Sequence, residues 1–446
     1  MRLWIKSPLA CLGHPGSAGI VVDGARIAEV LATGGKPGAP VDEIFDARRH
    51  VLLPGLVNTH HHFYQTLTRA HPAAINKPLF PWLETLYPRW ARLTPADVGI
   101  STRLALVELM LSGCTTASDH HYLFPANCDE AIDIQIAEAR ALGMRFCATR
   151  GSMDISYEEG GLPPRSVVQD RDTILADCER LIAKVHDAGE GAMIQIALAP
   201  CSPFSVSREL FTQTAALARR HGCRLHTHLA ETHDEETFCQ EKFGCRPVDY
   251  LAESGWLGPD AWFAHGIHFS AVEIARLGAC GTAISHCPTS NMVLASGCCR
   301  TLDLETSGVG VGLGVDGSAS NDSSNMMEAV RHALMINRLT YGAERITHFD
   351  VLRWATEGSA RCLGRDDIGR IAPGKMADLA LFTLDEMRFS GAGDPLAALV
   401  LCGAHRADRV MINGHWRVID ASPVGLDPDR LIAAHSAAAR KFLERL

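Results

Sequence analysis

Eight short apolar runs, each ending in polar or small residues and most followed by a helical pattern, occupy the chain between about residues 51 and 318. Continuous apolar runs of this kind are typical of strands buried on both faces, as in parallel sheets. Eight strand–helix units predict a (β/α)8 barrel, also called a TIM barrel, of the α/β class. The runs are LLPGLVNTHH (52–61), TTASDHH (115–121), RFCATRGS (145–152), MIQIALAPC (193–201), RLHTHLAE (224–231), AWFAHGIH (261–268), GTAISHCPTSN (281–291) and GVGVGLGVDGS (308–318).

Helical patterns separate these runs. One begins at Thr94-Pro95, a pair suited to the N-cap and first position of a helix, and stops at Gly113. A long aromatic-rich insertion, 63–94, follows the first strand; we treat it as a connection without regular structure that serves as a substrate lid or a subunit contact. The remaining predicted helices cover 129–142, 172–188, 207–221, 235–254, 322–341 and 428–445.

The two ends of the chain carry a different pattern. GIVVDGARIAEVL (19–31) and RVMINGHWRVID (409–420) contain Asp-Gly and Asn-Gly pairs between apolar alternations, which indicate β-turns. We expect residues 1–57 and 366–446 to join as one small β-sandwich domain that includes the terminal helix. The barrel, 58–365, is then an insertion between the two halves of that domain.

Composition narrows the classes of function. Of the 446 residues, 47% are apolar and 21% are charged, as in ordinary soluble enzymes. The net charge of −9 and the lack of a basic block argue against nucleic acid as a partner. No apolar run is long enough to predict a membrane span, and MRLWIKSPLACLG lacks the apolar core of a signal peptide. The fifteen cysteines form no paired zinc pattern, so we expect reduced thiols in a cytoplasmic protein.

The segment LPGLVNTHHHF (53–63) contains the most specific chemistry. Because residues i and i+2 of a strand point to the same side, His60 and His62 face one way and His61 faces the other. Two imidazoles on one face at the end of a buried strand are suited to bind a divalent metal. The alternative is a polar strand end whose histidines lie in water.

Further metal donors fall at the ends of other predicted strands. HTH places His226 and His228 on one face, and we expect only one of them to be a ligand. Asp316 adds a carboxylate after the eighth strand, where the active sites of barrels lie. Three histidines and one carboxylate suit Zn²⁺ or Fe²⁺ with a position left open for water. Four other histidines are expected to be packed strand-end residues: His120, His121, His268 and His286.

Five motifs together resemble the amidohydrolase superfamily, within its cytosine deaminase and triazine hydrolase-like branch: LPGLVNTHHH, HTHLAET, FAHG, GLGVDGS and IGRIAPGKMADL. The resemblance covers nearly the whole chain. It implies that His60, His62, His228 and Asp316 bind the metal. The fourth run ends in ALAPCSP, without the lysine that bridges two metals in binuclear members. We therefore expect one metal ion, Zn²⁺ ahead of Fe²⁺.

The same resemblance implies three residues for proton transfer. Glu231 would move a proton from water to a ring nitrogen of the substrate, and His265 would polarise the substrate or water beside the metal. Asp316 would bind the metal and then assist proton transfer. Taken alone, Glu231 is also compatible with a glutamate at a helix N-terminus, favoured there by the helix dipole.

The substrate is expected to be a small aminated heterocycle. Gln65, in HxHxxQ, resembles the glutamine that binds the purine in guanine deaminase-like relatives. Trp82, Arg150 and Cys201 are further pocket candidates because of their places on the insertion and at strand ends.

Stretches such as LVNTHHHFYQTLTRA are similar to bacterial deaminases of 8-oxoguanine. The implied reaction hydrates the amino-bearing ring carbon with a metal-activated hydroxide and yields uric acid and ammonia, with isocytosine as a second substrate. The alternatives are a triazine or hydroxyatrazine-type aminohydrolase or chlorohydrolase, an adenosine-type nucleoside deaminase and a non-catalytic metal-bound scaffold. We also expect a homo-oligomer.

Overall fold

The structure is a computed structural model, and it describes residues 1–445. Within these residues, strands β1 to β18 are, in chain order, Arg2–Lys6, Ala10–Cys11, Gly19–Asp23, Arg26–Leu31, Glu43–Asp46, His50–Pro54, Leu56–Asn58, Cys114–His121, Arg145–Ser152, Ile194–Pro200, Arg224–Leu229, Ala261–His265, Ala283–His286, Gly310–Leu313, Leu379–Thr383, Arg409–Ile412, His415–Ile419 and Ser422–Pro423. Helices α1 to α15 are Leu79–Trp90, Pro95–Leu111, Ala131–Leu142, Arg171–Val185, Arg208–His221, His233–Phe243, Pro247–Glu253, Ala271–Cys280, Pro288–Val293, Thr301–Thr306, Met326–Tyr341, His348–Arg353, Ser359–Cys362, Pro395–Leu401 and Pro428–Leu443.

Strands β7 to β14 form the barrel. They pair in sequential order and every pairing is parallel. Backbone hydrogen bonds beyond the strand ends close the ring, since Thr59 N donates to Leu313 O over 3.1 Å and Asp316 N donates to His60 O over 3.0 Å. The predicted (β/α)8 fold is confirmed, and its closure brings the end of β7 against the segment that follows β14.

Both chain ends contribute to a β-sandwich. One sheet has the order β4-β3-β1-β5, and the other has the order β18-β17-β16-β15-β6-β2. Apolar residues from both sheets pack in one buried cluster that includes Leu3, Ile20, Leu52, Leu381 and Met411. The predicted sandwich is therefore present. The exact domain boundaries stay a prediction, and β7 crosses the one placed at 57/58.

The predicted Asn-Gly turn joins β16 to β17. Ile412 pairs with His415, so the loop has two residues, Asn413 and Gly414. Their φ angles are 53° and 77°. Two positive φ values in a row define the turn that matches the twist of a hairpin, and Asn-Gly is the pair that adopts it most readily.

Two helix predictions need correction. The helix expected at 235–254 is two helices, α6 and α7, because Gly244 ends the first with a φ of 70° and Pro247 starts the second. The insertion 63–94 is regular rather than irregular: it contains a 3₁₀ helix at Phe63–Thr68 and α1. Its aromatic side chains supply the reason, because Trp82, Tyr87 and Trp90 are buried and order the segment.

Two further properties concern membrane-spanning helices and the state of the cysteines. Across residues 1–445, no helix combines the length and apolarity that a membrane crossing requires. All fifteen cysteines are free thiols, and most of them are buried. They act as small apolar core residues rather than as crosslinks.

Candidate active site

Three histidines and one aspartate converge at the carboxyl end of the barrel. His62 Nε2 lies 3.2 Å from His228 Nε2. Asp316 Oδ1 lies 3.3 Å from the Nε2 atoms of both His60 and His62. All four side chains are buried. The donor atoms of the three histidines lie within 4.8 Å of one another, and the Asp316 carboxylate lies against two of them.

The hydrogen bonds on the far side of two rings fix their tautomers. The Nδ1 of His62 lies 2.7 Å from the backbone oxygen of His120, and the Nδ1 of His228 lies 2.7 Å from the backbone oxygen of Cys201. A carbonyl oxygen can only accept, so each Nδ1 donates and each Nε2 presents a lone pair to the site. This arrangement is typical of metal-ligating histidines.

His60 is oriented by another histidine. His226 Nδ1 donates to Trp262 O over 2.9 Å, so His226 Nε2 is the acceptor for His60 Nδ1 at 2.8 Å. The Nε2 of His60 is then a bare lone pair, and it is a buried nitrogen without a hydrogen-bond partner among residues 1–445. A buried unpaired acceptor is unfavourable unless a ligand satisfies it.

The charge state of the site suits a cation. Burial lowers the pKa of His60 and His228 below the ordinary value and lowers that of His62 to about 3, so all three rings are neutral near pH 7. The pKa of Asp316 is held well below its usual range: burial opposes ionisation, but His60, His265 and His62 outweigh it. Three neutral imidazoles and one carboxylate fit a divalent metal.

Local backbone strain marks two residues of the site. His265 and Asp316 have φ angles of 73° and 67°, in the left-handed region that residues with a side chain rarely adopt. Both lie at the carboxyl ends of barrel strands. Such strain costs on the order of 1 to 3 kcal/mol and persists where the surroundings hold it in place. Here it turns both side chains into the barrel mouth.

Glu231 and His265 form an ion pair beside the donor set. His265 Nε2 lies 3.4 Å from Glu231 Oε2 and 4.0 Å from Asp316 Oδ2, and His265 Nδ1 lies 3.0 Å from Asn291 Oδ1. Burial raises the pKa of Glu231 to about 7. Burial would lower the pKa of His265, but the carboxylates of Glu231 and Asp316 outweigh it and raise that pKa. The pair can therefore exchange protons near neutral pH.

The turn that aims Glu231 depends on Glu235, which the sequence analysis did not single out. The carboxylate of Glu235 accepts hydrogen bonds from the backbone N–H groups of Ala230 (3.1 Å) and Glu231 (3.0 Å). It is fully buried in the first turn of α6. Its signal in the sequence was the glutamate four residues after Glu231, a position expected to stabilise a helix N-terminus.

A pocket opens over these groups, and three of the four predicted substrate residues line it: Gln65, Trp82 and Cys201. Gln65 Oε1 accepts from Ala319 N over 3.2 Å, which leaves its amide N–H groups for the pocket. Trp82 Nε1 donates to Ala319 O over 3.1 Å. The rest of the lining is His62, Leu79, Leu83, Tyr87, Tyr122, Phe204, His228, Glu231, His265, Leu294, Asp316 and Ser320.

Arg150 is the predicted pocket residue that the structure places elsewhere. Its guanidinium binds Asp177 of α4 at 2.8 Å and Gln169 at 2.9 Å, and it lies over the ring of Phe124 at 3.9 Å. The side chain points out of the barrel toward the helices because strand residues alternate between the two faces. Its predicted substrate contact gains no support from this placement.

The other histidines behave mostly as packed residues. His61 points away from the donor set and its Nε2 lies 2.8 Å from Ser324 Oγ, as the strand period predicted. His121 and His268 bind backbone oxygens. His120 does the same through Nε2, yet its ring stacks on His228 at 4.7 Å and its Nδ1 has no partner among the described residues.

Comparisons with known proteins identify the family of the chain. A model of the amidohydrolase family matches residues 51–417. The chain is 62% identical to the 8-oxoguanine deaminase of Pseudomonas aeruginosa over 99% of both chains. It is 37% identical to the hydroxydechloroatrazine ethylaminohydrolase of Pseudomonas sp. (strain ADP), over 90% of this chain and 85% of that protein. The solved structure of atrazine chlorohydrolase from Arthrobacter aurescens complexed with zinc has a TM-score of 0.93 at 32% identity, over 98% of this chain and 100% of that one.

Proposed function

Because this chain belongs to the amidohydrolase family, we propose that it hydrolyses 8-oxoguanine to uric acid and ammonia. The observation that carries the proposal is the full-length identity to a deaminase of that purine. The geometry supports the reaction type independently: a carboxyl with a pKa of about 7 lies beside a donor set suited to a divalent metal. That combination is what hydrolytic deamination requires.

We propose that His60, His62, His228 and Asp316 hold one divalent cation and that this cation is zinc. The three aligned Nε2 lone pairs and the Asp316 carboxylate support the assignment, as does the zinc in a related solved structure. When bound, such a cation lowers the pKa of water to about 7 and so supplies a nucleophile at neutral pH. Fe²⁺ fits the same donors and is the alternative.

Glu231 is proposed to move the first proton. Water adds to the amino-bearing ring carbon, and Glu231 takes a proton from that water and delivers it to the adjacent ring nitrogen. The carbon is then tetrahedral and bears one hydroxyl and one amino group. A pKa of about 7 lets one carboxyl accept and release the same proton at little cost in free energy.

His265 and Asp316 are proposed to complete the reaction. The hydroxyl proton of the tetrahedral carbon moves to the amino group through Asp316, whose Oδ2 lies 4.0 Å from His265 Nε2. The carbon–nitrogen bond breaks, a carbonyl forms and ammonia leaves. His265, held by Asn291 at 3.0 Å, presents an N–H that can stabilise negative charge on the oxygen of the hydrated carbon.

Gln65 is proposed to orient the ring. Since its Oε1 accepts from Ala319 N, its Nε2 is free to donate to a ring carbonyl. The carbonyl that neighbours the reacting amidine in 8-oxoguanine and in isocytosine satisfies this donor. Trp82, Leu79, Leu83 and Leu294 supply apolar faces for a flat ring.

A hydroxyatrazine-type aminohydrolase is the second candidate. The relative from Pseudomonas sp. (strain ADP) and the triazine hydrolase structures favour it. The chemistry at the metal would be the same, and only the recognition of the ring would differ.

The test is ammonia release from a substrate panel, with metal analysis of the same preparation. The panel contains 8-oxoguanine, guanine, isocytosine, adenosine and hydroxylated triazines. We expect fast turnover of 8-oxoguanine and about one metal ion per chain. Fast hydrolysis of a triazine without turnover of 8-oxoguanine would replace the first candidate by the second.

We also propose a cytoplasmic location. Fifteen free cysteines support it, because oxidising compartments favour disulfides. The homo-oligomer stays a prediction that gel filtration with light scattering can test.

A further inference from the structure

One arc of the pocket wall lies opposite the proton-transfer groups. Tyr122 follows β8 and Cys201 follows β10, whereas His265 ends β12 and Asp316 follows β14. In an eight-stranded barrel each strand faces the strand four places along. Tyr122 therefore faces His265 and Cys201 faces Asp316 across the pocket that all four line. A flat substrate whose reacting carbon lies by Asp316 extends its far end toward this arc.

Two tyrosines contribute phenolic hydroxyls to this arc. Tyr87, from α1, and Tyr122 line the pocket with exposed fractions of 1% and 3%. The Tyr87 hydroxyl contacts Met153 Sδ at 4.0 Å, and the side-chain partners of the Tyr122 hydroxyl are the phenols of Tyr64 and Tyr87. Buried hydroxyls of this kind are normally paired, because an unpaired one loses about 1 to 3 kcal/mol. Since each phenol can both donate and accept, the pair keeps hydrogen-bonding capacity for a ligand in the pocket.

Two other polar side chains of the lining are already engaged. Ser320 Oγ donates to Gly317 O over 3.1 Å, and Trp82 Nε1 donates to Ala319 O. Burial raises the pKa of the Cys201 thiol to about 12, so it stays a neutral, weak donor. The two phenols are thus the strong hydrogen-bonding groups at this end of the pocket.

Neutral phenols match the chemistry that distinguishes 8-oxoguanine from guanine. Burial raises the pKa of Tyr87 and Tyr122 well above the ordinary value, so each hydroxyl stays able to donate one hydrogen bond and accept another. The oxidised purine presents a carbonyl at C8 and an N–H at N7. Guanine presents a C–H and a bare nitrogen there, so the two purines offer opposite hydrogen-bonding patterns at N7.

We propose that the hydroxyls of Tyr87 and Tyr122 form the subsite that binds the C8 carbonyl and the N7–H of 8-oxoguanine, and that they select the oxidised purine. This inference rests on the proposed function. One hydroxyl donates to the carbonyl and the other accepts from the N–H. Guanine has no C8 carbonyl, so it leaves the hydroxyl that donates to that carbonyl unpaired, which is a source of discrimination.

The experiment compares two substrates on phenylalanine variants. Isocytosine carries the same amino and carbonyl edge as 8-oxoguanine but lacks the five-membered ring. We expect Tyr122→Phe and Tyr87→Phe each to lower kcat/KM for 8-oxoguanine by about 10-fold or more, since each removes one hydrogen bond to the substrate. The kcat/KM for isocytosine should change by less than about 3-fold, because isocytosine does not contact the hydroxyl that is removed.

Tyr250→Phe is the control. Tyr250 is as buried as Tyr87, its hydroxyl donates to Val206 O over 3.1 Å, and it does not line the pocket. Its removal should leave both substrates unaffected. Equal losses on both substrates in the Tyr87 and Tyr122 variants, or no loss on 8-oxoguanine, would overturn the subsite.

The wild-type protein provides a second measurement that needs no variant. We expect kcat/KM for 8-oxoguanine to exceed that for guanine by 10-fold or more. Equal values would overturn the proposed subsite but would not contradict the proposed deaminase function. Absence of turnover with 8-oxoguanine would instead reject the proposed function itself, so the two failures are distinguishable.

Discussion

His60 Nδ1 donates a hydrogen bond to His226 Nε2 over 2.8 Å, and this bond separates a metal ligand from the residue that supports it. The two histidines of HTH lie on one face of β11, so the strand period alone allows either to bind the metal. In the structure His226 is fully engaged by His60 and Trp262. His228 is therefore left with the free lone pair.

His226→Phe should weaken metal binding without removing a ligand. The ring of His226 stacks on that of Trp262 with 4.3 Å between the centroids, and phenylalanine can keep this stacking. It leaves His60 Nδ1 without its hydrogen-bond acceptor. Loss of such a supporting hydrogen bond typically costs about 10- to 100-fold in metal affinity. Competition with a chromophoric chelator measures the change. His228→Ala is the comparison and should lose the metal; equal affinities in the two variants would contradict the division of roles.

Glu231→Gln should remove activity and keep the metal. The amide cannot carry the shuttled proton, so kcat/KM should fall by about 10²- to 10⁴-fold. Glu241→Gln, on the exposed face of α6, is the matched control and should leave activity unchanged. Initial rates of ammonia release and metal content are measured on both. A Glu231→Gln protein with wild-type rates would disprove the proton-transfer role.

Asp119 should make the protein less stable as pH rises. It is a fully buried carboxyl that accepts hydrogen bonds from Phe63 N (2.6 Å) and Gln135 Nε2 (2.7 Å), and burial raises its pKa to about 8. Between its ordinary pKa of 3.8 and about 8 the folded chain keeps a proton that the unfolded chain has lost. The free energy of unfolding therefore falls across this window as pH rises, and the loss is complete above about pH 8.

Asp119→Asn tests this pH dependence. The amide cannot ionise, and its N–H can pair with Gln135 Oε1, which is a buried acceptor without a partner in residues 1–445. We expect the variant to gain stability relative to wild type on the order of a few kcal/mol at pH 8.5 and little at pH 4.5. Thermal unfolding at both pH values gives the comparison. A difference in Tm that is the same at both would mean that Asp119 does not titrate as described.

The ion pair between Arg145 and Asp378 should stabilise the junction of barrel and sandwich. Arg145 starts β9 and binds both carboxylate oxygens of Asp378 at 2.8 and 3.0 Å, and Asp378 Oδ1 also accepts from Asn413 N. Arg145→Met leaves a buried charge unpaired and should lower the free energy of unfolding by about 3 to 5 kcal/mol.

The rate constants of the folded Arg145→Met protein should be unchanged, because the pair lies far from the mouth of the barrel. Adding Asp378→Asn to the same chain should recover part of the stability, since no lone charge remains. Denaturant unfolding and steady-state kinetics test both statements. A double variant no more stable than the single one would show that the unpaired charge is not the cause.

The sequence predicted the parts of the site that follow from strand period and order. The period of two placed His60 and His62 together and turned His61 away. The succession of strand ends placed His228, Glu231, His265 and Asp316 at one mouth. The Asn413-Gly414 hairpin followed from local turn chemistry. Each of these inferences needs only the regular geometry of a strand or turn.

Other features depend on contacts that no local pattern contains. Arg150 turns outward because Asp177 and Gln169 bind it, and its place at a strand end did not reveal that. The insertion 63–94 folds because its aromatic residues are buried in the core and against the pocket. Tyr87 and Tyr122 line the same pocket although about 35 residues of chain separate them. The positive φ angles of His265 and Asp316 are likewise imposed by the barrel mouth rather than by their own preferences.

The most direct measurement of the central claim is the product balance with 8-oxoguanine. Purified, metal-loaded protein is given 8-oxoguanine, and uric acid and ammonia are quantified in the same reaction. We predict one ammonia for each uric acid, with all of the substrate consumed. Unchanged 8-oxoguanine after prolonged incubation with a protein that contains about one zinc per chain would contradict the account.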